Sequence, residues 1–445
     1  MNTNSRYDLI VLGGGPAGYS AAVRGAQLGA AVLLVEKNAW GGTCLNKGCI
    51  PTKLLWETLH LQKKIKRAGE FGITAELKAS PFSDIQQKKN RTIDLLSKSL
   101  KKLLESHAIT LAEGTAAFTA PDKIVLQGQA ELTAEKIIIA AGSRPSGLKG
   151  LAIDHQKIID SDDALGLTEL PGKLLIIGGG VIGVELATVF AGFGSSVLLI
   201  EKEPHLLPGE DSELAEEARK MLERQGVKVQ TGAGSFEEFL PHYDKVLVAT
   251  GRQSNADTLA LEKAGIEYTR KGITVSGSFE TSARGVYAAG DVTGAWNLAY
   301  ISQAEGIAAA EIALGRSAAV DYSVIPRVVF SMPPMASVGK RERELAPGTF
   351  AVGRFPIAAN SRSSIAGERA GWVKILADTR AGTVLGGTIV GNGAEELIAI
   401  LSLAVRHSFT IDQIRRELFF HPSVSETLHM ACEDVLKQCV DLPKK

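Results

Sequence analysis

An α/β fold built on two strand–turn–helix–strand units, with room for a further domain, is predicted by three features of the sequence. The first is YDLIVLGGGPAGYSAAVRGAQLGAAVLLVEK, residues 7–37: an apolar run, a glycine turn, a helical stretch and a second apolar run ending in Glu36. The second is its near-repeat KLLIIGGGVIGVELATVFAGFGSSVLLIEK, residues 173–202, in which Glu201 ends the second run. The third is length, because 445 residues exceed the ~250 to 300 at which a single core stops growing, which leaves room for more than two domains.

Each repeat is a Rossmann-like βαβ unit carrying G-x-G-x-x-G, at Gly13, Gly15 and Gly18 and again at Gly178, Gly180 and Gly183. In such a turn the first glycine allows the tight bend and the second lets the backbone approach a pyrophosphate at the helix N-terminus. The third lets helix and strand pack closely. Glu36 and Glu201 stand where a carboxylate accepts hydrogen bonds from ribose hydroxyls. Two signatures imply two nucleotide-binding domains with two dinucleotides, or a duplication with one copy idle. An acidic Glu201 repels a 2′-phosphate and so favours NAD over NADP, a preference that Lys202 blunts.

Between the repeats, GGTCLNKGCIPTK at 41–53 holds two of the four cysteines, Cys44 and Cys49. Bridged Cα atoms lie within ~6.8 Å, while five steps of regular helix rise ~7.5 Å, so a disulfide here requires an irregular backbone. Gly41, Gly42 and Gly48 supply that freedom, and Pro51 suits the first turn of a helix running on through KLLWETLHLQKKIKR. Cys49 then lies near a helix N-terminus beside Lys47 and Lys53, which favours a reactive thiolate. By itself the segment reads equally as a redox pair or as two reduced structural thiols. Neither Cys432 and Cys439 nor a histidine cluster completes a zinc site, and no metal is expected.

Further along, RTIDLLSKSLKKLLESHAI reads as an amphipathic helix, and ITLAEGTAAFTAPDKIVL and EKIIIAAGSRP read as strands. AAGSRP resembles VATGR, as if the chain crosses between domains at each. Asp291 in AAGDV ends another apolar strand, where it either caps a turn or holds a ribityl or ribose hydroxyl.

Composition narrows the function classes. Lys plus Arg equals Asp plus Glu, at 49 each, which gives no basic excess for nucleic acid. No apolar run approaches the ~20 residues of a membrane span, and MNTNSRYDLIVLGGG lacks the order of a signal peptide. A soluble, cytoplasmic protein is expected, and four cysteines in such a chain point to chemistry rather than stapling.

Taken in order, GGGPAG, GGTCLNKGCIPTK, AAGSRP, GGGVIGVE, VATGR, AAGDV, FPIAANSRSSIAGE and HPSVSE resemble the class I flavoprotein (pyridine nucleotide) disulfide oxidoreductases, above all their dihydrolipoamide-oxidising branch. The redox segment and HPSVSE carry the specificity. The resemblance implies a discontinuous FAD-binding domain at 1–143 and 254–320, an NAD-binding domain at 144–253 and a C-terminal α+β dimerisation domain at 321–445. It gives FAD to Gly13, Gly15, Gly18, Glu36, Lys53, Gly114, Ala116, Ala141, Gly142, Ser143 and Asp291, with Asn297, Leu298, Ala299 and Tyr300. Lys53 would pair with Glu185. NAD falls to Gly178, Gly180, Gly183, Glu185, Glu201 and Gly251. Cys49 becomes the thiol against the flavin and Cys44 the thiol that exchanges with substrate. His421, oriented by Glu426, becomes the base that deprotonates an incoming dithiol. The family supplies this histidine from the neighbouring subunit, so a homodimer with shared active sites is expected. The expected partner is a lipoyl-bearing protein of a 2-oxoacid dehydrogenase or glycine cleavage complex.

The chain departs from the family pattern in three places. Only SFEEFLPH fills a longer, strand-rich excursion before YDKVLVATG, MPPMASVG has proline where glutamate is common, and Phe420 precedes His421 where a small residue is common. Three alternatives remain: a glutathione-type reductase, disfavoured by Glu201; a mercuric reductase, disfavoured by the spacing of Cys432 and Cys439; and a flavin-binding regulatory protein without turnover. The quartet Cys44, Cys49, His421 and Glu426 argues against the last.

Overall fold

Both faces of strand Tyr7–Leu12 are covered. Ile10 and Leu12 enter one core with Leu33, Phe118, Ile137 and Val286, while Leu9 and Val11 enter another with Ala21, Leu34 and Ala309. Successive side chains of a strand point to opposite faces, so an unbroken apolar run marks a parallel strand held between two layers. The pairing agrees: the strand lies parallel to Val32–Glu36 on one side and to Glu131–Ile139 on the other, with Thr110–Glu113 beyond the first. Glu131–Ile139 is long enough for two partners. Its first half takes antiparallel Lys123–Leu126 and its second half takes parallel Val286–Ala288.

This computed structural model describes residues 6–78, 80–126 and 131–443. Residues 1–5, part of the segment read as lacking a signal peptide, lie outside it. The chain divides into two units. One runs to Leu55 and continues through Ser80–Glu169 and Leu247–Val320; the other takes Trp56–Lys78, Leu170–Val246 and the chain from Asp321 onward.

In the first unit, helix Pro16–Gln27 packs on helix Ala299–Ala313 through residues with almost no side chain. A Cβ on Gly306 would fall 2.0 Å from the Ala17 carbonyl oxygen. The helix expected at 91–109 instead spans Phe82–Ser106. Its polar first turns are helical because tertiary contacts hold them: Gln86 and Lys89 are buried, and the Lys89 ammonium donates to the Leu165 carbonyl. The strand-rich stretch after it breaks into Thr110–Glu113, Ala116–Ala120 and Lys123–Leu126.

The second unit repeats the first motif and adds a different sheet. Strand Lys173–Ile177, helix Val181–Phe193 and strand Ser196–Ile200 follow in order, the strands parallel, with Lys228–Gln230 parallel beyond. The trimmed excursion SFEEFLPH folds as a short 3₁₀ turn at Glu237–His242. The C-terminal sheet is antiparallel, in the order Arg327–Val329, Met335–Gly339, Val384–Val390, Trp372–Asp378 and Phe350–Pro356. Helices Ala394–Arg406 and Glu426–Val435 close a core of Val338, Ile375, Ile389, Leu401, Leu428 and fully buried Cys432. The α/β class with an α+β C-terminal part is the one the sequence predicts.

Candidate active site

The redox segment folds as two helices with a break between them. Gly42–Lys47 is the first, Gly48 breaks it at φ −149°, ψ −103°, and Cys49–Lys66 begins at once. The irregular backbone that a bridge between Cys44 and Cys49 requires therefore sits at Gly48, and Cys49 is the first residue of the long helix. Both cysteines are half-buried thiols, hydrogen-bonded to each other. That bond, with burial second, holds the Cys44 thiol far above its ordinary range, while nearby Lys53 pulls it down. Asn46 pins the short helix by donating to the carbonyls of Trp40 and Gly42, at 3.1 and 2.9 Å.

The first glycine turn lies against this segment. Gly13 adopts φ +113°, and a Cβ there would stand 2.2 Å from the Ala140 carbonyl oxygen, so only glycine fits. The Gly41 amide donates to the Gly14 carbonyl at 2.9 Å. Glu36 is buried and accepts from the amides of Gly14 and Asn38, each at 2.7 Å. Its carboxylate thus braces the turn. Gly114, at φ +150°, donates to the Glu36 carbonyl, and Ala116 opens the next strand.

Asp291 lies within a group of hydrogen-bonded side chains. It accepts from Ser143 Oγ at 2.6 Å and Ser302 Oγ at 3.2 Å, and Arg252 Nε, 2.7 Å from Ser143 Oγ, closes the group. AAGSRP and VATGR do meet: Ser143–Pro145 pairs antiparallel with Arg252–Ser254. Ala141 accepts from Asn255 Nδ2 at 2.8 Å, and Gly142 adopts φ +68°. Asn297 and Leu298 lead into the helix that starts at Ala299, with Tyr300 partly exposed on its first turn. Arg252, Ser302, Asn255 and Glu305, which accepts from the Gly290 amide at 2.7 Å, surround these positions and were not singled out by sequence reasoning. Arg252 carried a signal, since it ends VATGR beside Gly251; Ser302 and Glu305 lie inside an ordinary-looking helix.

In the second unit Gly178 adopts φ +114°, and a Cβ on Gly183 would meet the Gly178 carbonyl oxygen at 1.9 Å. Gly180 precedes the helix, and Glu201 accepts from the amides of Gly179 and Glu203 at 2.6 and 2.9 Å, repeating Glu36. Glu185 is buried and accepts from the Phe330 amide at 3.0 Å. Gly251, at φ +120°, belongs to the first unit, where its carbonyl accepts from the Ser146 amide.

His421 and Glu426 are brought together in the second unit. His421 Nδ1 is 2.9 Å from Glu426 Oε1, and Glu426 Oε2 accepts from the Ser423 amide at 2.8 Å. Burial pushes the Glu426 carboxyl up, but the Ser423 amide and the His421 ring outweigh it and hold it below the usual range. The His421 side chain is 69% exposed.

Residues 7–306 match the family described as pyridine nucleotide-disulphide oxidoreductase, and residues 325–432 match the dimerisation domain of the same family. This chain belongs to that family. It is 38% identical over 447 residues to the dihydrolipoyl dehydrogenase of Bacillus subtilis, covering 95% of this chain and 97% of that one. It is 39% identical over 464 residues to the dihydrolipoyl dehydrogenase of Thermus scotoductus, covering 98% and 99%. Among solved structures, the HOCl-induced flavoprotein disulfide reductase RclA of Escherichia coli, described as a Cu(II) complex, superposes with a TM-score of 0.87 at 29% identity, covering 96% of this chain and 99% of that one. LpdA of Mycobacterium tuberculosis gives 0.86 at 25%, with the same coverage.

As a member of this family the chain is an NAD-dependent flavoprotein oxidoreductase with FAD and NAD as cofactors, and its C-terminal part is a dimerisation domain, built for a homodimer. The two glycine turns fit dinucleotides: Gly13 and Gly178 hold the positive φ of the tight bend, Gly18 and Gly183 have no room for a side chain, and a Cβ on Gly15 or Gly180 would meet nothing closer than 3.7 Å, which leaves the space a pyrophosphate takes. No helix among the described residues is long and apolar enough to cross a membrane.

Proposed function

We propose that this enzyme oxidises protein-bound dihydrolipoamide and passes the electrons to NAD, with the residue roles that follow. The observation that carries the reading is the hydrogen-bonded dithiol at the head of a long helix, in the same unit as the first glycine turn. The domains are 1–143 with 254–320 for FAD, 144–253 for NAD and 321–445 for the dimer interface. Bound FAD supplies the two-electron acceptor that links the dithiol to the nicotinamide.

In its oxidised form the Cys44–Cys49 pair is a disulfide. His421 of the second copy takes a proton from the substrate dithiol, and the thiolate attacks Cys44. The second substrate thiol displaces Cys44 from the mixed disulfide, leaving the substrate as a cyclic disulfide and the pair reduced. Two electrons and two protons have been moved. Cys49 is the thiol at the helix N-terminus, where the dipole favours a thiolate. Re-forming the disulfide releases the electron pair to NAD as hydride, with one proton left over. Glu426 fixes the His421 ring and balances the imidazolium. FAD is held by Gly13, Gly15, Gly18, Glu36, Lys53, Gly114, Ala116, the 141–143 turn, Asp291 and the 297–300 segment; NAD by Gly178, Gly180, Gly183, Glu185, Glu201 and Gly251. The partner is a lipoyl-bearing protein of a 2-oxoacid dehydrogenase or glycine cleavage complex, met in the cytoplasm.

The test is a panel of acceptors with NADH and NADPH as donors: lipoamide, glutathione disulfide and Cu(II). NADH-linked reduction of lipoamide is expected to exceed the other rates by roughly 100-fold, equivalent to about 2.7 kcal/mol in transition-state free energy. Equal or reversed rates overturn the substrate, and a preference for NADPH overturns the nucleotide.

A further inference from the structure

One charge cluster in the second unit is made of residues given no role above. Lys374, on strand Trp372–Asp378, is 1% exposed, and its ammonium faces three carboxylates: Glu342 at 2.6 Å, Glu213 at 2.9 Å and Asp211 at 3.5 Å. Directly across the antiparallel pair stands Arg354, which also grips Glu213, at 2.9 Å. Like charges directly opposite on a sheet repel. They are tolerated because Glu213 lies between them and the Trp372 ring covers both, 5.9 Å from Lys374 Nζ and 5.8 Å from Arg354 Cζ. Burial lowers the affinity of Lys374 for its proton, yet the bonds to Glu342 and Glu213 outweigh it and the group sits above its ordinary value. A buried charge held this way marks a fixed point, since removing one partner leaves the others uncompensated.

The fixed point is tied by a short chain of contacts to the second glycine turn. Asp211 and Glu213 begin helix Ser212–Arg224. Immediately before them, Glu210 is bound by Arg327 Nε and Ser337 Oγ, each at 2.6 Å. The Glu210 amide donates to Leu207, and the Leu207 amide donates at 2.9 Å to the carbonyl of Gly179. Leu206, 1% exposed, fills the space over Gly179 so closely that a Cβ there would be 2.5 Å from it. Gly179 in turn donates to Glu201. Leu207 holds φ +49°, a left-handed conformation that a leucine keeps only where its surroundings impose it.

We propose that Lys374, with Glu210, Asp211 and Glu213, is a positioning clamp for the nucleotide, holding segment 201–211 so that the Gly178–Gly183 turn and Glu201 are preformed for NAD. The inference rests on the assignment of NAD to that turn. Preforming the turn removes the ordering cost from each binding event, which matters where the nucleotide enters and leaves at every turnover. Lys374 acts through the segment alone.

The test uses the FAD-loaded enzyme and follows flavin reduction by NADH in stopped flow, which requires no disulfide substrate. Lys374→Met is expected to raise the apparent Kd for NADH by roughly 10- to 100-fold, to leave the limiting rate within about twofold, and to leave flavin reduction by dihydrolipoamide without nucleotide unchanged. Lys374→Arg should restore most of the NADH affinity. Arg327→Met, at the other end of the clamp, gives the same pattern by a second route should Lys374→Met not fold. Unchanged NADH affinity in both Met variants, or an equal loss of the nucleotide-free reaction, overturns the clamp. Failure of NADH to reduce the wild-type flavin instead overturns the NAD assignment on which it stands.

Discussion

The two glycine turns share a local code and differ in what covers them. Both place the first glycine at φ near +113°, both close the third glycine onto the carbonyl of the first, and both brace the turn with a carboxylate 22 residues on from the middle glycine's neighbour, Glu36 to Gly14 and Glu201 to Gly179. The first turn is shut in by the redox segment: Gly41 bonds to Gly14, and a Cβ on Gly42 would stand 2.7 Å from Gly15. At the second, a Cβ on Gly180 would meet nothing within 4 Å, and Val181 is 46% exposed. A turn locked against the reacting thiols suits a cofactor that never leaves, and an open one suits a nucleotide that exchanges. Under the proposed assignment of FAD to the first turn and NAD to the second, the same motif would serve residence or turnover according to its tertiary cover.

Substituting the third glycine in each copy tests that difference most severely. Gly18→Ala drives a methyl to 1.6 Å from the Gly13 carbonyl oxygen and Gly183→Ala to 1.9 Å from that of Gly178. The first is expected to purify without flavin. The second should keep full flavin absorbance while losing NADH-linked turnover by roughly 100-fold; a colourless Gly183→Ala protein would break the division of labour. A milder change sharpens the assignment of the open turn. Glu201→Gln removes the charge that repels a 2′-phosphate, so the NADPH-to-NADH ratio of kcat/KM should rise by about 10-fold, the size of one partly screened charge contact, and a static ratio would detach Glu201 from the ribose.

The smallest effect concerns stability in the first unit. Burial lowers Lys89 to about 8 from 10.5. Between those values the unfolded chain binds the extra proton and the folded one does not, so stability should rise with pH across that window. Thermal midpoints of wild type and Lys89→Met, compared from pH 7 to 10, should converge or cross in favour of wild type as pH rises. Parallel curves would show that the ammonium keeps its proton in the fold.

Much of this was legible because it is local. The glycine spacing, the apolar runs and the strand-ending glutamates are dictated by backbone geometry within about 30 residues, and they appear where the sequence places them. The two halves of the redox segment are helical, with the break at a glycine. Helix Phe82–Ser106 was legible only in its amphipathic half, because Gln86 and Lys89 look exposed until the Leu165 carbonyl is brought to them. Arg252, Ser302 and Glu305 reach Ser143, Asp291 and Gly290 across 109, 11 and 15 residues, and no local pattern announces the longest of these.

The sequence by itself determined the class of chemistry: two dinucleotide turns, a C-x₄-C pair at a helix start, and a histidine with a glutamate five residues on, all consequences of short-range geometry and side-chain type. Only the tertiary structure decided which turn is closed and which open, that Asp291 meets Ser143 and Ser302, and that Lys374 is buried among carboxylates. Those outcomes depend on which distant segments meet, and burial changes the worth of a charge far more than its identity does.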